Sequence, residues 1–168
     1  MIKEVKTENK KIRNATPLSY NGITFKSKLE KQIYITLQLY KLSPEYESKT
    51  FVIWEGYTSR IPFYDRESQS QKTKRLSKGD SNRIRSLTLK PPKLRDITYT
   101  PDFYIRYNNL DVYIESKGFE NDVFPIKKKL FRKYLDDLFT NTGQQSIYFE
   151  VYTIGQLLQA LEIIKNFK

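Results

Sequence analysis

The chain has 168 residues, with 30 Lys and Arg against 19 Asp and Glu, and neither cysteine nor histidine. Such a length suits one domain with a real core, and the missing residue types exclude disulfides, thiolate and imidazole metal sites, Cys-His dyads and Ser-His-Asp triads. The net charge of +11 marks a binder of polyanions. No apolar run approaches membrane-spanning length, no signal-peptide core opens the chain and no basic amphipathic helix has a broad apolar face, so nucleic acid is the expected partner and the cytoplasm the expected compartment.

Residues 1–19 are polar and basic without periodicity and read as a flexible arm; residues 20–168 read as a single domain. After the Asn21-Gly22 turn and a short extended piece from Ile23 to Phe25, Ser27 and Glu30 have the spacing of a helix capping box. Leu29, Ile33, Leu37 and Tyr40 then predict a helix to about Leu42. Phe51 to Trp54 and Thr58 to Tyr64 predict strands around a Glu55-Gly56 turn. Trp54 could stack on a base, but a lone Trp is more often a packing residue. From residue 65 to 95 the pattern breaks into a basic insertion carrying Lys72, Lys74, Arg75, Lys78, Arg83 and Arg85. Such a run is either a solvated linker or a phosphate-binding segment.

A two-residue loop at Asn108-Asn109 would pair Tyr107 with Leu110, Ile105 with Val112, and Asp102 with Glu115. Phe103, Ile105, Leu110, Val112 and Ile114 then share one face; Asp102, Tyr104, Arg106, Tyr113, Glu115 and Lys117 share the other. Carboxylates directly opposite each other, with Cβ atoms about 4.5–5.5 Å apart, repel. A divalent cation is the usual reason for such a pair, and Mg²⁺ needs only one or two carboxylates beside water and phosphate. Lys117, in phase with Glu115, can act on a water or on developing negative charge. The competing reading is a solvated hairpin face decorated by alternating charges.

Further on, a helix from about Ile126 to Leu138 is expected to turn Ile126, Leu130, Tyr134 and Leu138 inward and a basic face of Lys127, Lys128, Lys129, Arg132 and Lys133 outward. Gly143 punctuates it, Ile147 to Tyr152 predicts a strand, and Thr153 opens a last helix with Leu157, Leu158, Leu161 and Ile164. The order predicts an α/β layered fold with a mixed sheet.

Pro101-Asp102 together with Glu115-Ser116-Lys117 resembles the bipartite motif of the PD-(D/E)xK nuclease superfamily. The strings from Gly22 to Glu30 and from Ile97 to Phe103 resemble small phage-encoded nucleases and the endonuclease subunit of heteromeric transposases. The resemblance implies a restriction-endonuclease-like αβββαβ core with a mixed central sheet flanked by helices. It further implies a Mg²⁺- or Mn²⁺-dependent DNA endonuclease with Asp102, Glu115 and the Ser116 carbonyl as metal ligands and Lys117 as catalytic lysine. Glu30 would be a further acidic ligand, unless its capping role accounts for it. Junction-resolving members work as dimers, which makes a homodimer an expectation from the resemblance alone. A non-catalytic nucleic-acid-binding module stands as the rival function.

Overall fold

The computed structural model describes residues 17–60, 93–118 and 123–167. The described residues fall into two compact units, one of residues 17–53, 98–118 and 123–167 and the other of residues 54–60 and 93–97. In chain order the elements are β1 (Leu18–Tyr20), β2 (Ile23–Phe25), α1 (Lys28–Leu39), β3 (Glu45–Tyr46), β4 (Phe51–Trp54), β5 (Ile97–Tyr99), β6 (Phe103–Tyr107), β7 (Leu110–Ser116), α2 (Phe124–Thr142), β8 (Ser146–Val151) and α3 (Ile154–Asn166). No helix among the described residues is long and apolar enough to cross a membrane.

The main sheet has the order β3-β6-β7-β8, antiparallel except for the parallel pair β7–β8. With three helices among the described residues, the protein is of the mixed α/β class. The expected hairpin register holds: Tyr107 pairs with Leu110, Ile105 with Val112 and Phe103 with Ile114. Asn108 takes a positive φ of 52° at the first position of the turn, a conformation asparagine tolerates better than most residues.

Both faces of β7 are covered, and every residue of the strand is buried. One face carries Phe103, Ile105, Val112 and Ile114 into a core completed by Ile33 and Leu37 of α1 and by Leu157, Leu161 and Ile164 of α3. The other was expected to be polar. Instead its tyrosines pack: Tyr104 and Tyr113 lie 5.5 Å apart, and Phe131 of α2 meets Tyr113 at 5.4 Å and Tyr99 at 4.6 Å. Tyrosine buries a large ring and needs only one partner for its hydroxyl, so a Tyr-rich strand face can be interior.

Several boundaries differ from the sequence expectation. Leu18 and Ser19 belong to β1, which pairs with β2, so the N-terminal arm cannot extend to residue 19. Helix α1 ends at Leu39 rather than Leu42 because Lys41, at φ 59°, takes the left-handed position there. The Lys41 amide donates to Gln38 O at 2.9 Å and the Leu42 amide to Leu37 O at 3.0 Å, a Schellman closure without its usual glycine. Helix α2 buries Phe124, Phe131 and Leu135, whereas Ile126 is 60% exposed. Phe124, Phe131 and Leu135, spaced by seven and four residues, define the inward stripe, and Ile126, two residues from Phe124, projects to the other side. In α3 the buried stripe runs Leu157, Ala160, Leu161, Ile164, leaving Leu158 partly exposed.

In the second unit the described residues form a narrow ribbon. Thr58 and Lys93 make an isolated antiparallel bridge, Leu94 N donates to Tyr57 O at 2.8 Å and Gly56 N to Asp96 Oδ1 at 2.7 Å. A Cβ on Gly56 would lie 2.3 Å from Leu94 O, so only glycine allows this approach. The strand expected from Thr58 to Tyr64 is reduced to that bridge as far as residue 60; residues 61–64 lie outside the described residues. Trp54 is half-exposed, edge-on to Tyr57 at 5.6 Å. It packs at a rim, not in a core.

Candidate active site

The open end of the β6–β7 hairpin gathers the acids. One pairing step beyond Phe103–Ile114 stand Asp102, in a bend before β6, and Glu115, near the end of β7. Asp102 Oδ2 accepts from Ser116 N at 2.7 Å and from Ser116 Oγ at 2.6 Å. Burial pushes the Asp102 carboxyl up to about 7, the Glu115 charge adds to the rise, and the Ser116 hydrogen bonds oppose it; Glu30 also acts in the raising direction. Three acidic side chains therefore share one electrostatic neighbourhood.

Glu115 is 4% exposed. Its Oε1 lies 2.5 Å from Lys117 Nζ and its Oε2 accepts from the Tyr99 hydroxyl at 2.7 Å. Lys117 Nζ also sits 3.9 Å from the centroid of the Phe124 ring, so the ammonium is held between a carboxylate and an aromatic face.

Glu30 lies in the first turn of α1. Ser27 Oγ accepts from Glu30 N at 3.1 Å, which is the expected cap. The Glu30 side chain accepts from Ser27 Oγ at 2.8 Å, from Lys26 N at 2.9 Å and from the Tyr46 hydroxyl at 2.6 Å. Helix α3 begins the same way: Thr153 Oγ1 accepts from Gln156 N and Gln156 Oε1 from Tyr152 N at 2.7 Å. A neutral glutamine thus supplies there the acceptor for the N-terminal amide that Glu30 Oε2 supplies here; Glu30 differs in accepting on both oxygens, Oε1 from Ser27 Oγ and Oε2 from Lys26 N and the Tyr46 hydroxyl.

The other nominated residues divide. On α2, Lys128 and Arg132 bind Glu150 of β8, at 2.9 and 3.3 Å, which corrects their reading as a purely outward basic face. Lys127 and Lys129 have no ion-pair partner among the described residues, and Lys133 pairs with Asp137 along the helix. Lys72, Lys74, Arg75, Lys78, Arg83 and Arg85 lie outside the described residues.

Four participants were not foreseen from sequence: Tyr99, Tyr148, Tyr46 and Glu150. Glu150 is the parallel partner of Glu115, and Tyr148 of Tyr113. Only a β7–β8 register could have placed them, and nothing local in the sequence encodes that pairing.

The donor set consists of hard oxygens, which suits Mg²⁺ or Mn²⁺. Asp102 and Glu115 could supply two carboxylates to such an ion; the Asp102 carboxyl is raised first by burial and second by the Glu115 charge. Among the described residues, no three acidic, His or Cys side chains come together as a ready-made cage. No family model matches the chain, and no curated protein or solved structure shows significant similarity to it.

Proposed function

We propose that this protein is a Mg²⁺- or Mn²⁺-dependent DNA endonuclease of the PD-(D/E)xK kind. The observation that carries the reading is the meeting of Asp102 and Glu115 at the open end of one hairpin, with Lys117 seated on Glu115. The order α1, β3, β6, β7, α2, β8 within the main sheet and its helices supports it, being the αβββαβ order of that nuclease core.

In this reading Asp102, Glu115 and the Ser116 carbonyl hold the cation, with Glu30 as the outer acid. The bound ion would polarise the scissile phosphate and lower the pKa of a water. Ser116 fixes the Asp102 carboxylate through two hydrogen bonds. Lys117, oriented by Glu115 and the Phe124 ring, would offset the negative charge that grows on the phosphate during attack. Lys127, Lys129 and the basic insertion supply phosphate contacts that give affinity without reading sequence. Branched or flapped DNA in phage recombination or repair is the substrate class favoured by the motif resemblance, ahead of a restriction or transposition role.

A binding module with a structural hairpin is the second reading. The full engagement of Glu115 and Glu30 by protein donors favours it. Incubating the protein with plasmid, flap, junction and RNA substrates, with Mg²⁺ and with EDTA, separates the two. Metal-dependent cleavage that is lost in Asp102→Asn is expected; binding without any cleavage in Mg²⁺ or Mn²⁺ would establish the module.

A further inference from the structure

Glu115 is held from two sides, and on the side away from Lys117 stand two linked tyrosine hydroxyls, that of Tyr99 buried and that of Tyr148 partly so. The Tyr99 hydroxyl donates its proton to Glu115 Oε2 at 2.7 Å, and Tyr148 Oη lies 3.0 Å from Tyr99 Oη. A hydroxyl has one proton. Since that of Tyr99 points at the carboxylate, the Tyr148 hydroxyl must be the donor of the second bond. The direction of the relay is therefore fixed as Tyr148 to Tyr99 to Glu115. Phe131 clamps both rings, 4.6 Å from Tyr99 and 5.6 Å from Tyr148, and Tyr99 is 5% exposed.

We propose that Tyr99, backed by Tyr148, is a positioning residue that holds the Glu115 carboxylate in the orientation needed to ligate a divalent cation. The inference rests on the nuclease reading of the hairpin acids. Without the Tyr99 hydroxyl, nothing among the described residues opposes Lys117, and Glu115 can turn both oxygens toward that ammonium. A closed Glu115–Lys117 pair competes with a cation for the same lone pairs and withdraws Lys117 from the reacting phosphate. Groups that orient a metal ligand in this manner are worth about 10- to 100-fold in metal affinity or activity.

The test uses the full chain and Mn²⁺ alone, with free Mn²⁺ followed by electron paramagnetic resonance, beside cleavage kinetics and thermal melts. Tyr99→Phe removes one oxygen atom and keeps the ring packing. It is expected to weaken Mn²⁺ binding about 10- to 100-fold and to lower kcat at fixed metal while leaving KM for DNA unchanged. Tyr148→Phe should act in the same direction with a smaller effect, and should have no further effect on top of Tyr99→Phe. A merely structural tyrosine would move the melting temperature and leave Mn²⁺ affinity alone. Unchanged Mn²⁺ affinity in folded Tyr99→Phe overturns the proposal; should that variant fail to fold, unchanged affinity in Tyr148→Phe does so. Glu115→Gln keeps the two failures apart. If it binds Mn²⁺ and cleaves like wild type, the nuclease site itself is wrong. If it is inactive while Tyr99→Phe is normal, only the positioning role falls.

Discussion

Ser116 gives Asp102 two hydrogen bonds to the same carboxylate oxygen, one from its amide and one from its hydroxyl. The contact joins the bend before β6 to the end of β7, where ladder pairing has stopped. It replaces the next rung of the sheet with a side chain and turns the strand end into a fixed acidic platform.

Ser116→Ala tests the hydroxyl half of that contact. Hydrogen bonds to charged groups contribute about 1.5–3 kcal/mol. The variant should lose an amount in that range by urea denaturation at pH 8, and less at pH 5, where Asp102 is mostly protonated. An equal loss at both values would mean that Ser116 acts through packing.

The Asp102 carboxyl also sets a pH dependence. It is pushed up to about 7 in the folded chain, against about 3.9 when unfolded. Between those values the folded state keeps a proton that the unfolded state has released, so this group's contribution to stability falls as pH rises from about 4 to 7 and is level above. The full swing is at most about 4 kcal/mol. Asp102→Asn removes it. In EDTA the variant should match wild type near pH 4 and exceed it increasingly up to pH 7, as denaturant midpoints would record. Added Mg²⁺ should narrow the gap at pH 8 by stabilising wild type alone. A gap that is constant with pH would refute the assignment of the elevated group to Asp102.

Glu30→Gln separates cap from ligand. Gln156 closes the same capping geometry at α3, so the fold should survive with a stability change within about 1 kcal/mol. If the Glu30 charge also serves a cation held by the hairpin acids, cleavage should fall at least about tenfold. Wild-type cleavage by a stable Glu30→Gln would assign Glu30 to the cap alone.

On α2, Lys127→Glu with Lys129→Glu should flatten the salt dependence of DNA binding, each lost phosphate contact lowering the logarithmic slope by about 0.9. Lys128→Ala should mainly destabilise the protein, because it strips a partner from the mostly buried Glu150. Identical salt slopes for wild type and the Lys127/Lys129 variant would remove this helix from the DNA interface.

Much of the hairpin was legible because it is local. The alternating residues and the Asn108-Asn109 turn lie within reach of one another, and period and turn type together fix register. The Ser27 cap was legible for the same reason. Strand β3 was not: its two residues, Glu45 and Tyr46, are defined only by pairing with Tyr104 and Phe103. The α2 start was expected at about Ile126, whereas the helix begins at Phe124 with Pro125 tolerated in its first turn. Tyr99 escaped notice as a site residue because a tyrosine's hydroxyl partner is set by tertiary packing, which spacing does not reveal.

The tight hairpin turn also bears on the order of folding. Closing two residues costs far less chain entropy than closing the long excursion that brings Tyr46 onto Phe103, or the helix-length crossover that brings β8 onto β7. The rungs from Tyr107–Leu110 to Phe103–Ile114 are thus expected to form before those of β3 and β8, and they carry Asp102 and Glu115 together before β3 arrives with Tyr46 or β8 with Tyr148. During that interval the two acids face each other in open water, where repulsion is weak. Their mutual cost grows only as the later elements exclude solvent, so the ordering that makes the site acidic and dry falls at the end of folding rather than at its start.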